Sequence, residues 1–172
     1  AAVALENARL YEAQRREAES AKALLAFGRE IAEAGGIEDV AQRVAMGTAE
    51  ILSSATTSVW LQDATTGDLV RLAAHPEEPS DLERETVMVP REHLGPWLDH
   101  TETFTIAASD YAQIAPPPEG TDGTFAIAPF TVDGRWGVIA AAIPRKPGVG
   151  DRELELLGSI ARQAKLAIQS AA

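Results

Sequence analysis

His75, His93 and His100 are the three histidines of a 172-residue chain that has no cysteine. A neutral imidazole ligates zinc or iron, and it changes charge near physiological pH. His93 and His100 stand seven positions apart, so on an unbroken helix they would share a face and meet one metal ion. Gly95-Pro96 lies between them and would break that helix, and no third ligand follows at a convincing spacing. A metal site is therefore not expected. The lack of cysteine excludes disulfides, thiolate metal sites, cysteine nucleophiles and thioether-linked chromophores.

The remaining reactive groups have plainer readings. Glu77-Glu78 reads as a solvated loop, Glu153 and Glu155 as the first turn of a helix, and Ser109-Asp110 as a turn or cap. No glycine-rich phosphate loop is present, so no catalysis is expected. The 15 basic and 26 acidic residues leave a net charge of -11, which repels phosphate backbones and anionic lipid, so neither nucleic acid nor a membrane is an expected partner. With no signal peptide, no apolar run of membrane length and no initiator Met, the chain reads as a water-soluble, cytoplasmic segment of a longer protein.

Hydrophobic pattern supplies the framework on which these residues sit. Residues 1–34 are rich in Ala, Glu, Arg and Leu and predict one continuous helix, ended by Gly35-Gly36. Val3, Leu10, Leu24 and Ile31, with Ala13, Phe27 and Ala34 three positions later, resemble a coiled-coil seam that Glu17 and Ser20 interrupt. Such a helix is about 50 Å long at ~1.5 Å per residue. The rest of the chain makes a body only about 35 to 40 Å across. The first half must therefore lie against something else, most simply a second copy, with a helix folded back on its own core as the alternative.

Residues 37–53 predict a second helix with an apolar face of Val40, Val44, Ala45, Ile51 and Leu52. Thr56 to Gln62 and Leu69 to Ala74 read as strands joined by the turn Thr65 to Asp68. On the first of them Trp60 must point to the opposite sheet face from Val59 and Leu61. From His75 to Gly123 prolines stand at 76, 79, 90, 96 and 116 to 118; short strands are expected at Thr86 to Val89 and Thr103 to Ile106, with a helical turn or two within Arg91 to His100. Thr124 to Val132, Asp133-Gly134 and Arg135 to Ile143 form a strong hairpin signal, after which Asp151 is expected to cap a final helix. The order predicts an α+β sandwich: a central antiparallel sheet, terminal helices together on one face, and a loop and helix wall on the other.

From about residue 21 onward the chain resembles a GAF domain, the small-molecule-binding sensor module of bacterial signalling proteins, with its profilin-like and PAS-like sandwich. The closing segment carries most of the resemblance: Phe125, Pro129-Phe130, Asp133-Gly134-Arg135, Gly137-Val138, then Leu154, Leu157, Ile160-Ala161, Ala164 and Ala167. The opening stretch ALENARLYEA resembles the run by which such domains pass into a linking helix, and Ala1 to Arg9 lies in register with Ala164 to Ala172. Residues 1–20 are therefore expected to be a linking helix from an upstream domain of a tandem array, and 21–172 the GAF domain.

The resemblance implies a ligand cavity walled by His75 to Phe125. Its candidate lining is His75, His93, Trp97, His100, Phe104, Tyr111 and Phe125, with Trp60 and Trp136 more readily core. One histidine could serve as the axial ligand of a heme, although surface or hydrogen-bonded histidines are commoner. Covalent bilin and sulfoxide reduction in such domains both need cysteine and are excluded here. The Asn-Lys-Phe-Asp-Glu signature of cyclic-nucleotide binders is absent, the only asparagine being Asn7. The implied function is a non-catalytic sensor or regulatory domain for an unidentified small molecule, signalling to adjacent domains as a homodimer through its terminal helices. The alternative is a dimerisation spacer whose cavity is filled by its own side chains.

Overall fold

The computed structural model describes residues 2–76, 87–115, 123–144 and 149–171. Its elements in chain order are α1 (Ala2–Ala32), α2 (Ile37–Leu52), β1 (Thr56–Gln62), β2 (Leu69–His75), β3 (Met88–Val89), a 3-10 turn (Arg91–His93), β4 (Phe104–Ala107), α3 (Ala108–Tyr111), β5 (Thr124–Val132), β6 (Arg135–Ile143) and α4 (Asp151–Ala171). The strands make one six-stranded antiparallel sheet in the order β3-β2-β1-β6-β5-β4. The expected Glu77-Glu78 loop and the first residue of the strand expected at Thr86 lie outside the described residues. No helix among the described residues is long and apolar enough to cross a membrane.

Local chemistry fixes the joints. Gly35 donates its N–H to Asp39 Oδ2 at 2.9 Å, and Arg43 reaches Asp39 Oδ1 at 3.1 Å and the Glu30 carbonyl at 2.8 Å, which ties α2 to the end of α1. The Gly35 N–H and then Arg43 hold the Asp39 carboxyl below its ordinary value. In the β1–β2 turn Asp63 Oδ1 accepts the N–H groups of Thr66 and Thr65, which lowers its pKa in the same way. The β5–β6 turn has both central residues at positive φ, Asp133 at 50° and Gly134 at 77°, the tight primed turn that the Asp-Gly pair favours. At the last helix the structure corrects one expectation. Asp151 is its first helical residue, while Glu153 Oε2 accepts the Gly150 N–H at 2.9 Å and so serves the end that Asp151 was expected to cap.

Both faces of the sheet are buried. On one face Val59, Leu61, Ala126, Ala128, Phe130, Ile139 and Ala141 pack against Phe27 and Ile31 of α1, Val40 and Val44 of α2, and Leu157, Ile160 and Ile168 of α4. On the other face Trp60, Leu69, Phe125, Ile127, Val138, Ala140 and Ala142 form a second cluster with Val89, Leu94 and Tyr111. The alternation of β1, β5 and β6 sorts neighbouring residues between these two cores.

Helices α1 and α4 run side by side in the same direction. Ser20 accepts a hydrogen bond from Arg152 at the start of α4, Gly28 lies against Gln163, and Ala32 and Ala34 share a groove with Ala167 and Ala171. Residues 2–19 of α1 are exposed throughout, an overhang of about 27 Å at ~1.5 Å per residue. The seam read from the sequence is divided by this arrangement. Val3 and Leu10 are in solvent, whereas Phe27 and Ile31 are buried in their own domain and Leu24 packs partly against that core. Phe27 and Ile31 are unavailable to a partner, and Ser20 faces α4.

Helix α2 comes this close to α1 because Gly47 lies under the Phe27 ring; a Cβ there would stand 2.8 Å from Phe27 Cε2. Gly47→Ala gains about 1 kcal/mol of helix propensity on an open surface. Here overpacking outweighs it, and a net loss of about 1 to 2 kcal/mol is expected by urea unfolding. A stabilised variant would show that Phe27 yields freely and that α1 is loosely docked.

Candidate functional site

The second cluster surrounds a small cavity between the sheet and the segments after β3 and β4. Trp60 and Leu69 come from β1 and β2, Val138 and Trp136 from β6, Leu94 and Trp97 from the turns after β3, and Tyr111 from α3. Its free volume is 40 Å³, enough for a water-sized molecule or two. The surrounding surface is almost wholly apolar. Two of the three indole N–H groups that line this region are already engaged: Trp60 Nε1 donates to Ser58 Oγ at 2.7 Å, and Trp136 Nε1 to the His100 carbonyl at 3.4 Å.

Of the seven residues predicted for this wall, Trp97 and Tyr111 line the cavity. Phe125 lies buried beneath Tyr111, the two rings nearly parallel with centroids 3.9 Å apart. Phe104 stacks on His100 at 3.9 Å and on Trp97 at 5.6 Å, and Trp97 and His100 are 6.1 Å apart, so the three rings form one cluster beside the cavity wall. His100 is the exposed member of that cluster. His93 is exposed on the 3-10 turn. His75 sits half-buried at the end of β2 beside a 20 Å³ recess that also reaches Tyr111 and Phe125.

The three histidines therefore do not converge, and no group of three metal-binding side chains occurs among the described residues. A heme does not fit this arrangement: the cavity is too small for a porphyrin, and neither His93 nor His100 lines it. Most of the lining was passed over by sequence reasoning or placed in the core, Leu94, Trp60 and Trp136 among it. For Trp60 the signal was available in the strand alternation. Leu94, 1% exposed, stands between His93 and Gly95 in a stretch without period, where nothing distinguishes an inward leucine.

A wider depression of 680 Å³ opens beyond Trp136, between α4 and residues 98 to 103. Its walls mix His100, Glu102 and Glu155 with Arg162 and Lys165, charges of both signs on a surface groove. Trp136 borders both spaces.

The sequence and the fold match known proteins in one way. The family model of the GAF domain matches residues 34–169, and the chain belongs to that family of regulatory and sensor modules. Among solved structures, it is similar to the GAF domain of an Acinetobacter phosphoenolpyruvate-protein phosphotransferase, with a TM-score of 0.69 and 16% identity over 87% of this chain and 92% of that one. The corresponding domain from Coxiella burnetii gives 0.68 and 16% identity over 88% and 94%. The GAF domain of a putative sensor histidine kinase from Pseudomonas syringae pv. tomato gives 0.62 and 14% identity over 94% and 92%. At these identities the likeness is one of fold. No curated protein matches the chain.

Removing the Leu94 side chain tests whether the far cluster holds a dry, expandable space. Leu94→Ala is expected to cost about 2 to 5 kcal/mol and to leave a cavity that binds benzene. Benzene should then raise the melting temperature of the variant and leave that of the unmodified chain nearly unchanged. Equal response in both proteins would contradict the packing described.

Proposed function

We propose that this chain is a non-catalytic sensor or regulatory GAF domain that works as a homodimer and relays a signal between adjacent domains of its parent protein through α1 and α4. The observation that supports the reading most directly is the placement of the two terminal helices. They run parallel along one core of the sheet, so the overhang of α1 leaves at the end where α4 begins, while α4 finishes at the opposite end. A shift of one helix against the other thus links an upstream neighbour of the domain to a downstream one.

The ligand assigned by this reading is a small apolar or aromatic molecule seated between Trp60, Leu94, Trp97 and Tyr111, where the 40 Å³ now free must open to admit it, a cost that Leu94→Ala relieves. Strands β1, β5 and β6 bear side chains of both cores, so enlarging the far cluster would move the wall on which the helices rest. A ligand acts only through a difference in affinity between two helix arrangements. The spacer reading draws its support from the small volume of 40 Å³, which the protein's own side chains nearly fill.

Native mass spectrometry of the purified chain, alone and with indole as probe, separates the readings. A sensor is expected to give a dimer mass that carries a co-purified or added small molecule. A dimer that takes up nothing identifies the spacer, and a monomer at all concentrations contradicts both.

A further inference from the structure

Strand β4 is shorter than the strand beside it. It pairs with β5 only over residues 124–127, so beyond them the outer edge of β5 has no strand against it among the described residues. The β5–β6 turn fixes which backbone groups point out of that edge. Val132 and Arg135 flank a two-residue primed turn and bond to each other, and the register runs on without a shift, so Phe130 and Ala128 also turn their N–H and C=O groups to β6. Pro129 and Thr131 turn theirs away. The bond from the Ala108 N–H to the Gly123 carbonyl at 3.0 Å keeps the same alternation, odd numbers toward β4. Among the described residues no hydrogen bond reaches the Thr131 N–H, the Thr131 carbonyl or the Pro129 carbonyl. Both residues line the 680 Å³ groove between α4 and residues 98 to 103.

We propose that this groove takes an extended peptide ending in a free carboxylate, added antiparallel to the open edge of β5 with its terminus on Arg162. The site lies outside the cavity assigned above and does not depend on it. An unpaired strand edge is a template for another chain. The peptide residue opposite Thr131 exchanges two hydrogen bonds with it, and the residue two positions on donates to the Pro129 carbonyl. Three residues span about 10 Å at ~3.4 Å each, which brings the terminus to the place before Phe104. Gly158 locates the cation there: a Cβ on it would stand 3.6 Å from both Thr103 Cγ2 and Arg162 Nη1, so Thr103 leans to α4 and the guanidinium stands beside the residue that leads into β4. Arg162 donates to Ser159 Oγ at 2.9 Å, and neither it nor Lys165 is in an ion pair among the described residues. A parallel peptide would carry its carboxylate to the opposite end. Glu102 and Glu155 on the walls oppose acidic side chains, so one terminal carboxylate fits better than an acidic segment. Because Trp136 is the cross-strand partner of Thr131, the first and third side chains fall on the face of Trp136 and Leu98, and the middle one falls toward Phe130 and α4.

The probes are acetyl-Leu-Ala-Leu with a free carboxylate and the same peptide as its C-terminal amide, each titrated to millimolar concentration into the isotopically labelled chain while backbone amide resonances are followed. The Thr131 amide is expected to shift among the most, and the acid to bind about tenfold more tightly than the amide. Arg162→Gln, at an exposed position, should remove that difference and leave the affinity of the amide unchanged. Methylating the peptide nitrogen of the first or third residue should abolish binding, since those N–H groups meet the Thr131 and Pro129 carbonyls. Methylating the middle nitrogen, which points away from β5, should not. An unmoved Thr131 amide overturns the proposal, as do shifts centred on Trp60, Leu94 and Tyr111, which would put the peptide in the small cavity. Equal binding of acid and amide overturns the carboxylate site, and equal loss from all three methylations overturns addition to the edge.

Discussion

The structure depends on a sheet whose two faces are both dry. A half-solvated antiparallel sheet needs one apolar set of side chains, whereas β1, β5 and β6 carry two, interleaved residue by residue. Val59 and Leu61 face the helices while Trp60 between them faces the other cluster; on β6, Ile139 and Ala141 face the helices while Val138, Ala140 and Ala142 face away. A slip of one residue in any of these strands would exchange the two cores. Small residues make the exchange of shape across the sheet close. At Gly137 a Cβ would stand 2.8 Å from the Trp60 carbonyl, so the strand that bears the far cluster is pressed directly against its neighbour.

This constraint ties the helix layer to the cavity layer. Ile139 and Ile143 of β6 belong to the core that holds Phe27, Leu157 and Ile168, and the intervening Ala140 and Ala142 belong to the cluster around Leu94 and Tyr111. With alanines at those positions the backbone itself is the main barrier between the layers. Packed interiors have few voids and transmit displacement instead of absorbing it. A coupling of cavity to helices by this route needs no special pathway of residues, only the rigidity of the shared strands.

Much of this organisation was legible in the sequence, and the failures have physical reasons. The Asp133-Gly134 turn fixed both strands of its hairpin to the residue, because only a turn with positive φ at both central positions joins them. The opposite orientation of Trp60 followed from strand period alone. The site was less legible, since the segment from residue 87 to 115 has no period and Leu94 enters the cavity from a turn. The histidines attracted attention as chemistry, yet they lie along the rim and surface of the far layer. Part of the α1 seam, Phe27 and Ile31, lies in the chain's own core, because repeats of 3.5 and 3.6 residues nearly coincide over a few turns. Leu24 and Leu25 are adjacent apolar residues, and only the position of the domain decides which one it takes.

On the proposed coupling, filling the far cluster moves α1 relative to α4. Spin labels at Lys22→Cys on α1 and Arg162→Cys on α4, both exposed positions, report that movement as a distance distribution, with labelled chains diluted in unlabelled ones. In a background carrying Leu94→Ala, benzene is expected to shift the distribution toward that of the chain with Leu94 intact. Superimposable distributions with and without benzene, in a variant whose melting temperature confirms that benzene has bound, would refute the coupling.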